Sequence, residues 1–167
     1  MILRPAQPSD AMKVAGVHVR SWQAAYRTLL PDDCLDRLRP EDRAARYDFA
    51  TTDPLRPWTV VAEEAGSIAG FATTMPSRDA DAPGHGEVCA LYVDPEYWDK
   101  KIGAALVSAA RAHLVEQGFQ RAILWMLVGN VRADRFYRKD DWMPDGTRRT
   151  DNIWGITIEE IRYRRAL

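Results

Sequence analysis

The stretch Leu91-Tyr92-Val93-Asp94-Pro95-Glu96-Tyr97-Trp98-Asp99-Lys100-Lys101-Ile102-Gly103-Ala104-Ala105-Leu106 decides the fold. It opens on apolar, aromatic and β-branched residues suited to a strand, and Asp94-Pro95 ends that strand. From Ile102 the spacing turns helical. Ile102, Leu106, Ala109, Ala110, His113 and Leu114 share one face of a helix predicted over Ile102–Gln117, with Gly118 as its stop. A strand that runs through a short loop into a helix points unpaired backbone N–H groups and the positive helix end at one spot. Such a spot suits an anionic phosphate, and Gly103 lets the backbone come close to it.

Upstream of the junction, Glu87–Val93 is the strand itself. A polar, Gly/Pro-bearing loop, Pro76–Gly86, precedes it. Trp58–Ala62 and Ile68–Met75 read as two more strands, with the hairpin turn Glu64-Ala65-Gly66-Ser67 between them. Thr52–Pro57 is a loop. Earlier still come helices. Met12, Ala15, Val19, Trp22 and Tyr26 recur at helical spacing behind the caps Ser9-Asp10. A short helix opens at Pro31-Asp32-Asp33, and a third is predicted over Glu41–Phe49. Met1–Arg4 is a short apolar first strand stopped by Pro5.

Downstream, Arg121–Val128 is almost wholly apolar, as expected of a strand covered on both faces. Val131–Lys139 is a helix, and Ile156–Tyr163 is a last strand. The chain therefore reads as one mixed α/β domain over 1–167, with no linker and no internal repeat.

The bulk numbers agree. One domain fits 167 residues, and 46% apolar with 28% charged residues is ordinary for a globular protein. Twenty-three basic and 24 acidic residues leave a net charge of −1, which argues against a nucleic-acid partner. Cys34 and Cys89 have no CxxC spacing, and His18, His85 and His113 have no HxxxH or HExxH spacing, so no metal is expected. No apolar run is long enough to cross a bilayer, and the first residues lack a signal-peptide layout, so neither membrane association nor export is expected. The expected location is cytoplasmic.

The junction and the segments around it resemble the GCN5-related N-acetyltransferase (GNAT) superfamily, in a bacterial branch, over essentially the whole chain. The family's loop Q/R-x-x-G-x-G/A after an LYVDPEY-type strand is matched by Leu91–Tyr97 and then Trp98–Gly103. Its N-x-x-A-x-x-F-Y pattern is matched by Asn130, Ala133, Phe136 and Tyr137, followed by Asp141-Trp142. Ser21-Trp22-Gln23-Ala24-Ala25-Tyr26-Arg27, Leu29-Leu30-Pro31 and the tail Arg162-Tyr163-Arg164-Arg165 also look like that branch.

The resemblance implies a central, mostly antiparallel sheet, flanked by helices, whose fourth and fifth strands (Glu87–Val93 and Arg121–Val128) splay apart. It implies acetyl-CoA as co-substrate and an amine of a small molecule or peptide as acceptor, attacked directly in a ternary complex. Leu91 and Val93 would pair with the pantetheine as an added strand. Tyr92 and Trp98 through Ala105 (Asp99, Lys100, Lys101, Ile102, Gly103 and Ala104 between them) belong to the cofactor loop, and Asn130, Ala133 and Phe136 to the cofactor side of the next helix.

Acetyl transfer needs a neutral amine, a stabilised oxyanion and a protonated leaving thiolate. Tyr137 stands at the family's general-acid position, with packing beside Phe136 as the other reading. Glu87 is the candidate base acting through water, with an exposed strand-end glutamate as the other reading. Trp22 and Tyr26 either line the acceptor pocket or pack the core. His85, in a Gly-flanked loop, reads as solvent-exposed. Cys89 has nothing nearby in sequence to activate it as a nucleophile. An exposed sheet edge and Trp154 permit a homodimer.

The chain departs from the branch where Asp99, Lys101, Asp141 and Thr28 stand at positions usually held by glycine. Asp99 near a pyrophosphate, at ~6 Å and an effective dielectric of ~20, costs roughly 3 kcal/mol, which Lys100 and Lys101 offset. A positive φ at such a residue adds roughly 1 kcal/mol of strain. These substitutions motivate the alternative of a non-catalytic acyl-CoA-binding module.

Overall fold

The computed structural model describes all residues, 1–167. Its elements run β1 (Ile2–Pro5), α1 (Ala11–Ala25), α2 (Asp32–Asp36), α3 (Pro40–Ala44), β2 (Trp58–Glu64), β3 (Ser67–Pro76), β4 (Gly86–Val93), α4 (Ile102–Glu116), β5 (Arg121–Leu127), α5 (Val131–Lys139), β6 (Met143–Ile153) and β7 (Ile156–Ala166). Single 3-10 turns at Pro8–Asp10 and Pro95–Tyr97 precede α1 and the loop that leads into α4. No helix is long and apolar enough to cross a membrane.

The seven strands form one sheet in the order β1-β2-β3-β4-β5-β7-β6. All neighbours are antiparallel except β4 and β5, which run parallel through three pairs only: Gly86↔Ala122, Glu87↔Ile123 and Val88↔Leu124. Beyond Val88 the two strands part. On the β3 side, Thr73 pairs with Ala90 and Thr74 with Val88, so Cys89 is the extra residue of a β-bulge. A bulge bends its strand and increases its twist, so β4 leaves β5 at that residue.

Strand alternation distributes the core to both faces. Val60 and Ala62 of β2 face α4, with Leu106, Val107, Ala110 and Leu114. Val61, between them, faces Val14 and Val17 of α1. A third cluster joins Trp22 and Leu35 to Leu127, Ile156 and Ile158. Gly86 is required for this packing, since a Cβ there would lie 2.6 Å from a Leu114 methyl.

Four expectations need correction. Strand β6 was not foreseen: it is an edge strand of polar residues with Pro144 and Gly146, and its pairing with β7 shifts register between Pro144 and Arg148. The third helix ends at Ala44 rather than Phe49, and Tyr47 and Phe49 instead stack on each other at 5.0 Å. Met12 lies on the exposed side of α1 despite its spacing. Asp10 does not cap α1 with its side chain; the carboxylate accepts from Arg4 and from the Gln7 backbone N–H.

One buried arginine ties the long loop before β4 to the β6–β7 hairpin. Arg162 is 1% exposed. It donates to Asp145 at 2.8 Å, Asp79 at 2.9 Å, both oxygens of Asp81 at 2.7 Å and Thr147 at 3.0 Å, which uses all of its donors. This holds Asp81 at a pKa of about 2. Asp79 in turn accepts from the Trp125 indole at 3.2 Å, so the loop and β5 share one anchor. Replacing Arg162 with Met leaves these carboxylates facing each other. Denaturant titration of Arg162→Met is expected to show about 3 kcal/mol of lost stability; an unchanged midpoint would show that the loop is held otherwise.

Candidate active site

The parting of β4 and β5 opens a cleft of about 890 Å³. Asp94 donates its N–H to Ala69 on β3 at 2.9 Å. By antiparallel alternation the N–H and C=O groups of Leu91 and Val93 therefore point the other way, toward the gap where β5 has left. The Val93 carbonyl is already taken, by the Ser21 hydroxyl at 2.9 Å and the Trp98 indole at 2.8 Å. What remains for an added strand is both groups of Leu91 and the N–H of Val93.

At the cleft mouth the loop turns into α4. Asp99 and Lys101 both adopt left-handed φ, 61° and 62°, and Asp141 does the same at 60°. Three of the four residues standing at expected glycine positions thus keep the glycine-like backbone; Thr28 does not. Asp99 turns its side chain outward, 98% exposed, to Arg132 at 3.8 Å. The Arg132 guanidinium lies over the Trp98 ring at 3.6 Å. The residue that opens the loop therefore braces it twice, through its indole N–H and through its face. Lys101, Arg132, Arg135 and Lys139 line the cleft on this side, so its mouth is net positive. The first N–H groups of α4 have no intrahelical carbonyl. A Cβ on Gly103 would sit 3.3 Å from the Phe136 ring, so only a residue without a side chain leaves this floor open. Open β4 backbone, unpaired helix N–H groups and basic side chains together fit a pantetheine arm and its diphosphate.

Of the cofactor positions read from the sequence, Leu91, Tyr92, Val93, Trp98, Asp99, Lys101, Ile102, Gly103, Ala104, Asn130, Ala133 and Phe136 line the cleft. Lys100 and Ala105 do not. Lys100 is exposed, with its ammonium over Tyr97 at 4.7 Å, and Ala105 lies farther along α4. Asn130 caps α5 by accepting from the Ala133 N–H at 3.1 Å.

The two candidate acid–base residues also line this cleft. Tyr137 is buried on α5, its ring packed near Phe136, Trp142 and Tyr163, and it lines the cleft. Burial, and secondarily Tyr92, holds its phenol above the ordinary range, so it stays protonated. Glu87 lines the opposite wall at 4% exposure. Burial raises its pKa and Asp79 adds to this, while Arg78 and Arg149 pull the other way. Cys89 opens on the cleft, but burial and the adjacent Glu87 push its thiol up, away from the thiolate. Trp22 and Tyr26 line the cleft and also pack the α1 cluster. His85 lies outside the cleft. Trp154 is turned inward onto α1, 4.7 Å from Trp22, rather than outward for a dimer.

Sequence reading missed Glu160, Arg149, Trp125 and Arg132. Glu160 had a signal: it shares parity with Ile156 and Ile158, the buried face of β7. Burial raises its pKa against the pull of Arg149, which pairs with it at 2.7 Å. Arg149 and Arg132 carried no such signal.

The sequence profile described as Acetyltransferase (GNAT) family matches residues 19–141. The uncharacterized N-acetyltransferase YuaI of Bacillus subtilis is 29% identical over 128 residues, covering 77% of this chain and 72% of its own. Among solved structures, a GCN5-related N-acetyltransferase from Rhodopseudomonas palustris superposes with a TM-score of 0.77 at 21% identity, over 99% of this chain and 95% of that one. The acetyltransferase yncA from Salmonella typhimurium, solved with its cofactor acetyl-CoA, gives 0.72 at 17% identity, over 99% and 93%.

The left-handed loop residues give a direct test. Lys101→Gly is expected to raise unfolding free energy by about 1 kcal/mol, because lysine is strained at this φ. Asp99→Gly should gain less, since aspartate tolerates the conformation. Equal or absent gains in chemical denaturation would contradict the strained backbone.

Proposed function

Because the chain belongs to the acetyltransferase (GNAT) family, we propose that it transfers an acetyl group from acetyl-CoA to an amine of a small molecule or peptide by direct attack in a ternary complex. The observation that carries this reading is that Glu87 and Tyr137 line one cleft whose floor is the unpaired edge of β4. Acetyl-CoA supplies the activated acyl group as a thioester. Leu91 and the Val93 N–H hold its pantetheine arm as an added strand. The start of α4, with Lys101 and Arg132, holds its diphosphate. Glu87 draws a proton from the acceptor ammonium through water, and Tyr137 holds a proton for the departing sulfur.

Two features favour direct attack over an acylated cysteine. The Cys89 thiol is pushed away from ionisation. Tyr137 stays protonated, as a proton donor must. The alternative of a non-catalytic binding module drew on the missing glycines, and three of those positions retain the left-handed backbone.

Mutant kinetics follow. Tyr137→Phe is expected to lower kcat about 10²-fold with little change in the KM for acetyl-CoA. Glu87→Gln is expected to lower kcat/KM similarly and to abolish its acid limb, which in the wild type lies above the ordinary glutamate value. Because the fold disfavours ionised Glu87, its carboxylate weakens the fold increasingly as pH rises past the unfolded value. Glu87→Gln should therefore be at least as stable as the wild type at neutral pH. Thiol release at the wild-type rate in either variant would remove that residue from the mechanism.

A further inference from the structure

The acceptor end of the cleft has a definite chemistry. Its walls are Trp22 from α1, Tyr26 just after it, Trp125 from β5, Ile153 from β6 and Ile158 from β7. Three ionisable side chains reach it: Glu87, Arg149 and Glu160. Two of them cancel. Arg149 meets Glu160 at 2.7 Å and Asp151 at 3.7 Å, and its guanidinium lies over the Trp125 ring at 4.2 Å. Glu87 makes no ion pair. The pocket therefore holds one carboxylate outside any ion pair, on which Arg78 and Arg149 act only at longer range, inside an aromatic and aliphatic box.

The two-residue turn of the β6–β7 hairpin, Trp154-Gly155, has positive φ at both residues. It folds Trp154 against α1, 4.7 Å from both Trp22 and His18, with Arg43 over its other side at 5.5 Å. The same 890 Å³ must also accommodate the pantetheine arm, which leaves room for a small acceptor only.

Resting on the acetyltransferase reading above, we propose that the acceptor is a small monocationic primary amine with an aromatic body, an aryl-alkyl amine in class. Its ammonium faces Glu87, and its ring lies among Trp22, Tyr26 and Trp125. An amino acid would bring a carboxylate to a pocket whose arginine is already paired. A polyamine would bring several charges to one counter-charge.

The test has two arms. Calorimetry with acetyl-CoA alone tests the underlying reading. Thiol release is then measured with 2-phenylethylamine, tyramine, spermidine, glutamate and an alanine-initiated peptide as acceptors. The two aryl-alkyl amines are expected to exceed the other three in kcat/KM by at least about tenfold. Trp125→Ala should raise the KM for 2-phenylethylamine about tenfold and leave kcat nearly unchanged, with Trp125→Phe restoring most of the loss. Acetyl-CoA binding combined with faster acetylation of spermidine, glutamate or the peptide, or with no acetylation of either aryl-alkyl amine, would overturn this assignment alone. Absence of acetyl-CoA binding would overturn the acetyltransferase reading and this assignment with it.

Discussion

The site depends on a parallel strand pair that holds for three residues and then lets go. Glu87 and Val88 are fixed by pairing with β5, while Leu91 and Val93 present backbone groups with no strand opposite. The bulge at Cys89 is where one condition becomes the other. An open sheet edge inside a protein is normally a liability, because unpaired N–H and C=O groups want a partner. Here the opening is bounded: Ser21 and Trp98 satisfy the Val93 carbonyl at one end, and the three paired residues close the other. What is left open has the backbone chemistry of a missing strand.

Charge in the cleft is arranged by pairing as much as by placement. Arg162 is neutralised by three aspartates, and Arg149 by Glu160 and Asp151. Neither guanidinium is left free to attract an acidic ligand at the Glu87 end of the cleft. Basic groups gather at the other end, where Lys101, Arg132, Arg135 and Lys139 line the mouth and only Arg132 has an acidic partner, the exposed Asp99. Glu87 is buried and outside any ion pair, which costs stability and raises its basicity together. The left-handed Lys101 is a second local cost retained at the site, as expected where backbone shape serves binding.

Much of the fold was legible because its periodicities are strong. The unbroken apolar run of β5 signalled burial on both faces, and the apolar stripe of α4 located the helix that packs on Gly86. Strand β6 was illegible for the opposite reason. Its side chains alternate between exposed and half-buried, and its pairing comes from β7 rather than from its own apolar pattern. The extent of α3 was overread because Tyr47 and Phe49 are half-buried by stacking after the helix ends. At the site, Tyr137, Glu87 and Gly103 could be found from motif position. Arg132 and Arg149 could not, since each acts by lying over a tryptophan from a distant segment. Nor could the sequence tell that Asp99 turns away from the loop; only the backbone angle and the Arg132 contact show it.

The central claim is that the β4 backbone beyond Val88 is open and that acetyl-CoA completes it. Residue-resolved amide hydrogen exchange reads this directly. The Val88 region should be protected in the free protein, and the Leu91 amide should exchange quickly until saturating acetyl-CoA slows it. A Leu91 amide already protected without ligand, or unchanged when acetyl-CoA is bound, would contradict the account.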